Sequence, residues 1–251
     1  MACSTTGVVA VLVMAAALIF STLSLLAPNW SMSESPMYPL TDVKFSTGVW
    51  GYCVNAEYNT GSNLSSHAVD TCFSFYSAGR IALNRTMNSP HIRRHSDTAA
   101  RQSVCDVLRS STDPVDENLT SFVSVTGIDA AAFRSFLVLS CGSVGKSSLA
   151  LSLMSVFFGI VALFGSIGLV VCCPLKSCLV SFTKAASLGA SLCSLVAFSC
   201  WLAQASPLNK VGVHPGSCFV VEILACVTFL GANVALNHHA ISHSLVPKSV
   251  E

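Results

Sequence analysis

The sequence predicts a membrane all-α protein, a four-helix transmembrane bundle with a small extracellular antiparallel β-sheet formed mainly by the first loop. Three observations lead there. Four apolar segments, each with at most one charge, are long enough to cross a bilayer. Four cysteines gather between the first two segments, in a stretch that is otherwise polar. Only 10% of the 251 residues are charged, against roughly a quarter in soluble domains. The formal net charge of +1 supplies no basic field for nucleic acid, and no acidic run suggests a solvated tail.

Residues 1–5 are the expected cytosolic N-terminus and residues 6–26 the first transmembrane helix. At about 1.5 Å rise per residue, such a segment crosses a hydrocarbon core roughly 30 Å thick. A cleaved signal peptide is the rival reading. The segment lacks a basic leading region, its apolar run exceeds the usual signal core, and Pro28 spoils a cut after Ala27. Residues 27–148 form the expected first extracellular loop and 149–171 the second span. A cytosolic link at 172–184, a third span at 185–202, a second extracellular loop at 203–216, a fourth span at 217–236 and a cytosolic tail at 237–251 complete the layout. Small residues at helix-packing spacing (Ala186, Ala190 and Ser194; Ala162 and Ser166) predict close helix contact in lipid.

Orientation follows from the short connections, because long loops translocate largely regardless of charge. Lys176 and Lys184 lie in the link after span two and Lys248 in the tail, whereas the link after span three holds only Lys210. Acceptor sequons agree: Asn63, Asn84 and Asn118 lie in the long loop, far enough from both spans to carry glycan. A fourth, Asn29, sits at the membrane edge, too close for the transferase to reach. Within the loop, residues 43–54 and 72–76 read as short strands, and Val104, Val107 and Leu108 have helical spacing around Cys105.

The cysteines divide by compartment. Cys53, Cys72, Cys105 and Cys141 are an even set in the external loop, suited to an oxidising environment, and four cysteines allow three pairings. Cys172, Cys173 and Cys178 bracket a basic connection at the membrane edge, where they are candidate acylation sites or simply small apolar filler. Glu222 is the one acidic residue inside a span, a default functional candidate that the interface or a buried polar partner would also satisfy.

Other motifs dissolve on inspection. Gly142-Ser-Val-Gly145-Lys146-Ser147 ends like a phosphate loop, but Ser140 stands where the first glycine is required. His91 and His95, like His239 and His243, share a helix face without a third ligand. No nucleophile with a nearby base and no carboxylate pair appears, so the expectation is a non-enzyme without cofactor, metal or small-molecule substrate.

Trp30, Gly48-Val49-Trp50-Gly51-Tyr52-Cys53 and Cys72 remain. Unaided chemistry puts the ring of Trp30 in the membrane interface, and a disulfide would hold a sheet too small to be stable alone. The set resembles the first-loop signature of the claudin and peripheral myelin protein superfamily: a tryptophan after the first span, Gly-Leu-Trp-x-x-Cys, then a second cysteine. Val49 stands where leucine is usual, and Cys72 lies farther from Cys53 than in most claudins. The stretch 80–116 has no claudin counterpart. Gly-x-x-Gly-Tyr-Cys and a longer loop are similar to the fungal cortical tetraspans and ambient-pH-signalling membrane proteins of the same superfamily.

The resemblance implies a left-handed bundle capped by an extracellular sheet and a bond between Cys53 and Cys72, whose strand-like segments are neighbours. Cys105 with Cys141 is the second expected pair. It further implies a plasma-membrane protein that organises cell-surface contacts, junctions or cortical domains. The partners expected are the lipid bilayer and other membrane proteins, including copies of itself, and not nucleic acid. An accessory subunit of a channel or pH-sensing receptor and a paracellular-type pore are the alternatives.

Overall fold

The structure, a computed structural model, describes residues 5–37, 40–59, 66–78, 80–82, 103–110, 126, 128–171 and 177–244. Its helices are α1 (Thr5–Leu26), α2 (Val104–Ser110), α3 (Ala130–Cys141), α4 (Ser143–Val171), α5 (Ser177–Asn209) and α6 (Ser217–Ser244). Its strands are β1 (Ser31–Met37), β2 (Leu40–Gly48), β3 (Gly51–Asn59), β4 (Ser66–Ser74), β5 (Arg80–Ala82) and β6 (His214–Pro215). Four helices, α1, α4, α5 and α6, are long and apolar enough to cross a membrane. They outrun the expected spans: α4 starts at Ser143 rather than 149, α5 covers Ser177–Asn209 rather than 185–202, and α6 continues to Ser244. Hydropathy locates what lipid can cover, whereas the backbone keeps its hydrogen-bonded ladder beyond that limit.

One compact unit comprises residues 1–26, 150–199 and 220–251. Its core is built mostly from small side chains, with Met14, Leu169 and Phe229 filling between them: Ala10 and Ala17 on α1, Ala162 on α4, Ala186 and Ala190 on α5, and Ala225 and Ala232 on α6. Alanine at the contact lets helix backbones approach, which matters in lipid because apolar side chains gain little there by leaving one another's company. Two glycines are fixed by the same closeness. A Cβ on Gly159 would lie 2.8 Å from Phe229 Cζ, and one on Gly165 would collide with Thr183 Oγ1.

The polarity of this unit is inverted relative to a water-soluble bundle. Phe157 and Phe164 are 56% and 69% exposed, and Leu12, Leu153, Leu192 and Val227 also face outward, while Ser155, Ser187, Ser191 and Ser194 are buried. Lipid accepts the outer surface, and the hydroxyls find partners within. The chain is a multi-pass membrane protein.

Between α5 and α6 the hydroxyls form a ladder. Ser187, Ser191 and Ser194 donate to the backbone carbonyls of Phe229, Cys226 and Glu222 at 2.9, 3.2 and 3.2 Å. Asn233 adds a rung in the opposite sense, its amide donating to the Lys184 carbonyl at 2.8 Å. The spacing of four and three residues on both helices keeps one face of each against the other, and antiparallel directions keep the rungs in step. Ser155 of α4 donates to the Ala190 carbonyl at 3.0 Å and receives Ser21 of α1 at 3.3 Å, so hydroxyls also join the remaining helices.

The second compact unit comprises residues 27–149 and 200–219. All strand pairs are antiparallel, in the order β5-β4-β3-β2-β1-β6, so the first loop supplies five strands and residues 214–215 add a short sixth. Directly paired residues share a face. Phe45, Val54 and Thr71 form one such row and Thr47, Tyr52 and Phe73 the next, on the face that α3 covers with Phe133. Phe133 lies 5.3 Å from Tyr52 and 5.9 Å from Phe45, edge to face in both cases. Phe136 continues the stack to Phe75 at 5.9 Å and Trp201 at 6.2 Å. Burying each such ring contributes roughly 1.5–3 kcal/mol.

Candidate functional site

The signature residues meet at the start of the sheet. Residues 43–54, expected as one strand, are the facing halves of β2 and β3, because Gly48 pairs with Gly51 and leaves Val49 and Trp50 as a two-residue turn. Both glycines are demanded by proximity. A Cβ on Gly51 would collide with the Phe73 carbonyl oxygen, and one on Gly48 would lie 2.9 Å from Pro28 Cα. The Trp50 carbonyl then accepts from Phe75 N at 3.0 Å, tying the turn to the end of β4.

Trp30 corrects an expectation. Its ring is fully buried, 5.5 Å from Trp201 and 6.3 Å from Phe219, so it is a core residue of the sheet unit rather than a side chain at a lipid interface. Its backbone serves the sheet on both sides, donating to the Thr47 carbonyl at 2.9 Å and accepting from Gly216 N at 2.8 Å. Asn29 accepts Cys218 N at 3.0 Å through its carbonyl. This docking brings residues of the second loop beside β1.

Cys53 and Cys72 are direct cross-strand partners of β3 and β4 and are bonded, with their Cα atoms 4.0 Å apart. They lie on the face opposite Tyr52 and Phe73, so covalent bracing and aromatic packing act on different sides of one sheet. Cys105 bonds Cys141, joining the short α2 to the end of α3. Ser103 caps α2 by accepting from Asp106 N at 3.2 Å and donating to the Asp106 carboxylate at 2.7 Å, which holds that carboxyl below its usual range. At the same end of α3, the Ser140 carbonyl accepts the Tyr76 hydroxyl at 2.6 Å and the Ser140 hydroxyl accepts the Gln204 amide at 2.8 Å. Burial pushes the Tyr76 phenol up to about 12 and raises that of Tyr52 further.

No protein-family model matches the chain, and no curated protein matches its sequence. The geometry of the residues therefore carries the functional argument.

Glu222 is the acidic group in the membrane bundle. It is fully buried, its Oε1 accepts the Ser194 hydroxyl at 2.5 Å, and Ser24 of α1 is a second hydroxyl neighbour. The structure thus gives it a buried polar partner and not an exit to the interface. Cys178 is exposed near the start of α5, while Cys172 and Cys173 lie outside the described residues. Asn63, Asn84 and Asn118 also lie outside them, as do His91 and His95 and the side chains of His239 and His243. Among the described residues, no three His, Cys, Asp or Glu side chains gather around one point.

Three features of the site were missed. Helix α3 was readable, since Phe133, Phe136, Leu137 and Ser140 recur at helical spacing behind Asp129, whose carboxylate caps Ala132 N at 2.9 Å. The Gly142-x-x-Gly145 stretch was read only as a failed phosphate loop. It is the corner between α3 and α4, where a Cβ on Gly145 would collide with the Ser140 carbonyl oxygen. The contribution of Trp201 and Gln204 to the sheet unit had no local signal, because their partners Ser31 and Ser140 are far away in the sequence.

Proposed function

We propose that this chain is a claudin-like plasma-membrane protein that organises cell-surface contacts, junctions or cortical membrane domains through its sheet unit. Both termini face the cytosol in this reading, and the sheet, glycosylated at one or more of Asn63, Asn84 and Asn118, faces outward. One observation carries the reading: Trp30, Gly48, Gly51, Cys53 and Cys72 each perform a distinct task in positioning one disulfide-braced sheet on the segment between the first two membrane-crossing helices. A sheet held from both faces presents a fixed surface, which favours recognition of another protein by keeping the ordering cost of binding low.

The test uses the full chain with a fluorescent tag after Glu251. Immobile plasma-membrane patches, slow to recover after bleaching, support the organising role. Uniform, freely mobile fluorescence or retention in internal membranes in the native host rejects it. Protease added to intact cells should leave the tag uncut, and digestion of the tag without permeabilisation would reverse the proposed orientation.

A further inference from the structure

Nothing in the organising role requires an acidic group in the bundle, yet Glu222 is placed where such a group is hardest to accommodate. A carboxylate in an apolar interior is stable only with a countercharge or a full set of donors. Ser194 Oγ serves Oε1 at 2.5 Å, while Oε2 makes no well-formed hydrogen bond among the described residues. Among the described residues of this unit, cations are remote. Lys184 on α5 is about 15 Å along the helix from Ser194, and His238 on α6 about 24 Å from Glu222, at ~1.5 Å per residue. The described parts of α1 and α4 in this unit contain no charged residue, and Cys218 and Cys226, each one turn from Glu222 on α6, and Cys193, next to Ser194 on α5, are thiols close in sequence.

What surrounds the carboxyl is oxygen. Ser194 of α5 donates to both the side chain and the backbone carbonyl of Glu222, and the buried Ser24 of α1 lies beside the same carboxyl, its hydroxyl outside hydrogen-bond geometry with Oε2. One turn earlier on α1, Ser21 meets Ser155 of α4. We propose that the Glu222 carboxylate, with the Ser194 and Ser24 hydroxyls, is an intramembrane binding site for one alkali-metal cation. Carboxylate and hydroxyl oxygens suit hard cations, and a single negative charge balances a monovalent ion, whereas a divalent ion would leave a net charge buried. Because the oxygens come from α1, α5 and α6, occupancy would tie three helices together.

The experiment measures Tm of the purified full chain in detergent at constant pH, with sodium chloride exchanged for choline chloride at equal ionic strength. Sodium should raise Tm by about 3 °C at concentrations well above the dissociation constant, and Glu222→Gln should abolish the rise. Ser194→Ala keeps the carboxyl and removes one oxygen, so it should weaken the sodium response even if Glu222→Gln fails to fold. Equal wild-type Tm in sodium and choline overturns the site, as does a response that survives Glu222→Gln or is unchanged in Ser194→Ala. A Tm that moves with pH but not with sodium, lithium or potassium identifies a proton as the countercharge and likewise overturns it.

Discussion

The two compact units of this chain are held by opposite means. In the membrane bundle most contacts are alanines, glycines and serine hydroxyls around a few large side chains such as Met14, Leu169 and Phe229, and most large apolar side chains point outward. In the sheet unit the large side chains point inward, seven aromatic rings stack through Trp30, Phe45, Tyr52, Phe75, Phe133, Phe136 and Trp201, and two disulfides are added. Solvent explains the difference. Water drives rings together, whereas lipid is indifferent to them and leaves close packing and hydrogen bonds to discriminate between helix pairings. The comparison therefore predicts large, cavity-type losses in one unit and small, distributed losses in the other.

The largest effect should come from Phe133→Ala. The ring contacts Phe45, Tyr52 and Phe136, and its removal should cost the sheet unit about 4 kcal/mol. Hydrogen exchange should show lost protection in β2 and β3, with the amides of α4 and α6 in the bundle unchanged. A loss of less than about 1 kcal/mol would mean that the aromatic stack is not what holds the sheet.

Next in size is the paired substitution Cys53→Ser with Cys72→Ser. The bond closes a sequence separation of 19 residues, for which chain entropy gives about 3 kcal/mol. The Cys105–Cys141 bond, with a separation of 36, should be worth slightly more, about 4 kcal/mol. Non-reducing peptide mapping of the mature protein checks the pairing first, since a Cys53–Cys105 or Cys53–Cys141 peptide would contradict the structure directly. Thermal melts of the variants then measure the loss.

Tyr52→Phe should act in the opposite direction. The Tyr52 hydroxyl is buried without a hydrogen-bond partner among the described residues, although its ring packs on Phe73 at 5.2 Å and Phe133 at 5.3 Å. Removing an unsatisfied buried hydroxyl while keeping the ring should stabilise the sheet unit by about 1 kcal/mol. A destabilised variant would reveal a partner for that hydroxyl.

How much of this was legible in the sequence depended on which physical signal each part relies on. The four spans were readable because lipid demands a continuous apolar run, which is a local property. Buried Ala162, Ala190 and Ser194 were readable as contact residues because small-residue spacing is local too. The hairpin at Val49-Trp50 was misread as continuous strand, since its glycines answer to Phe73 and Pro28, neither of which is a near neighbour of the turn. Trp30 was assigned to the interface for a related reason: its burial is decided by Trp201, more than a hundred residues away.

The smallest predicted effect tests the other half of the comparison. Ser191 donates to the Cys226 carbonyl at 3.2 Å, in the middle of the α5–α6 ladder and between the rungs of Ser187 and Ser194. That carbonyl already takes part in its own helix, so losing the hydroxyl leaves no unsatisfied acceptor, and alanine keeps the close backbone approach. Ser191→Ala should therefore cost only about 0.6 kcal/mol, the typical value of an interhelical hydrogen bond in a membrane protein. Ser191→Leu retains apolarity but adds volume at a buried position, and should cost about 2 kcal/mol by forcing α5 from α6. Comparing the two variants by denaturant unfolding in mixed micelles separates hydrogen bonding from fit. If alanine costs as much as leucine, the ladder is held chiefly by its hydroxyls. If leucine costs no more than alanine, closeness is not what selects small residues in this bundle, and the contrast with the aromatic sheet unit fails.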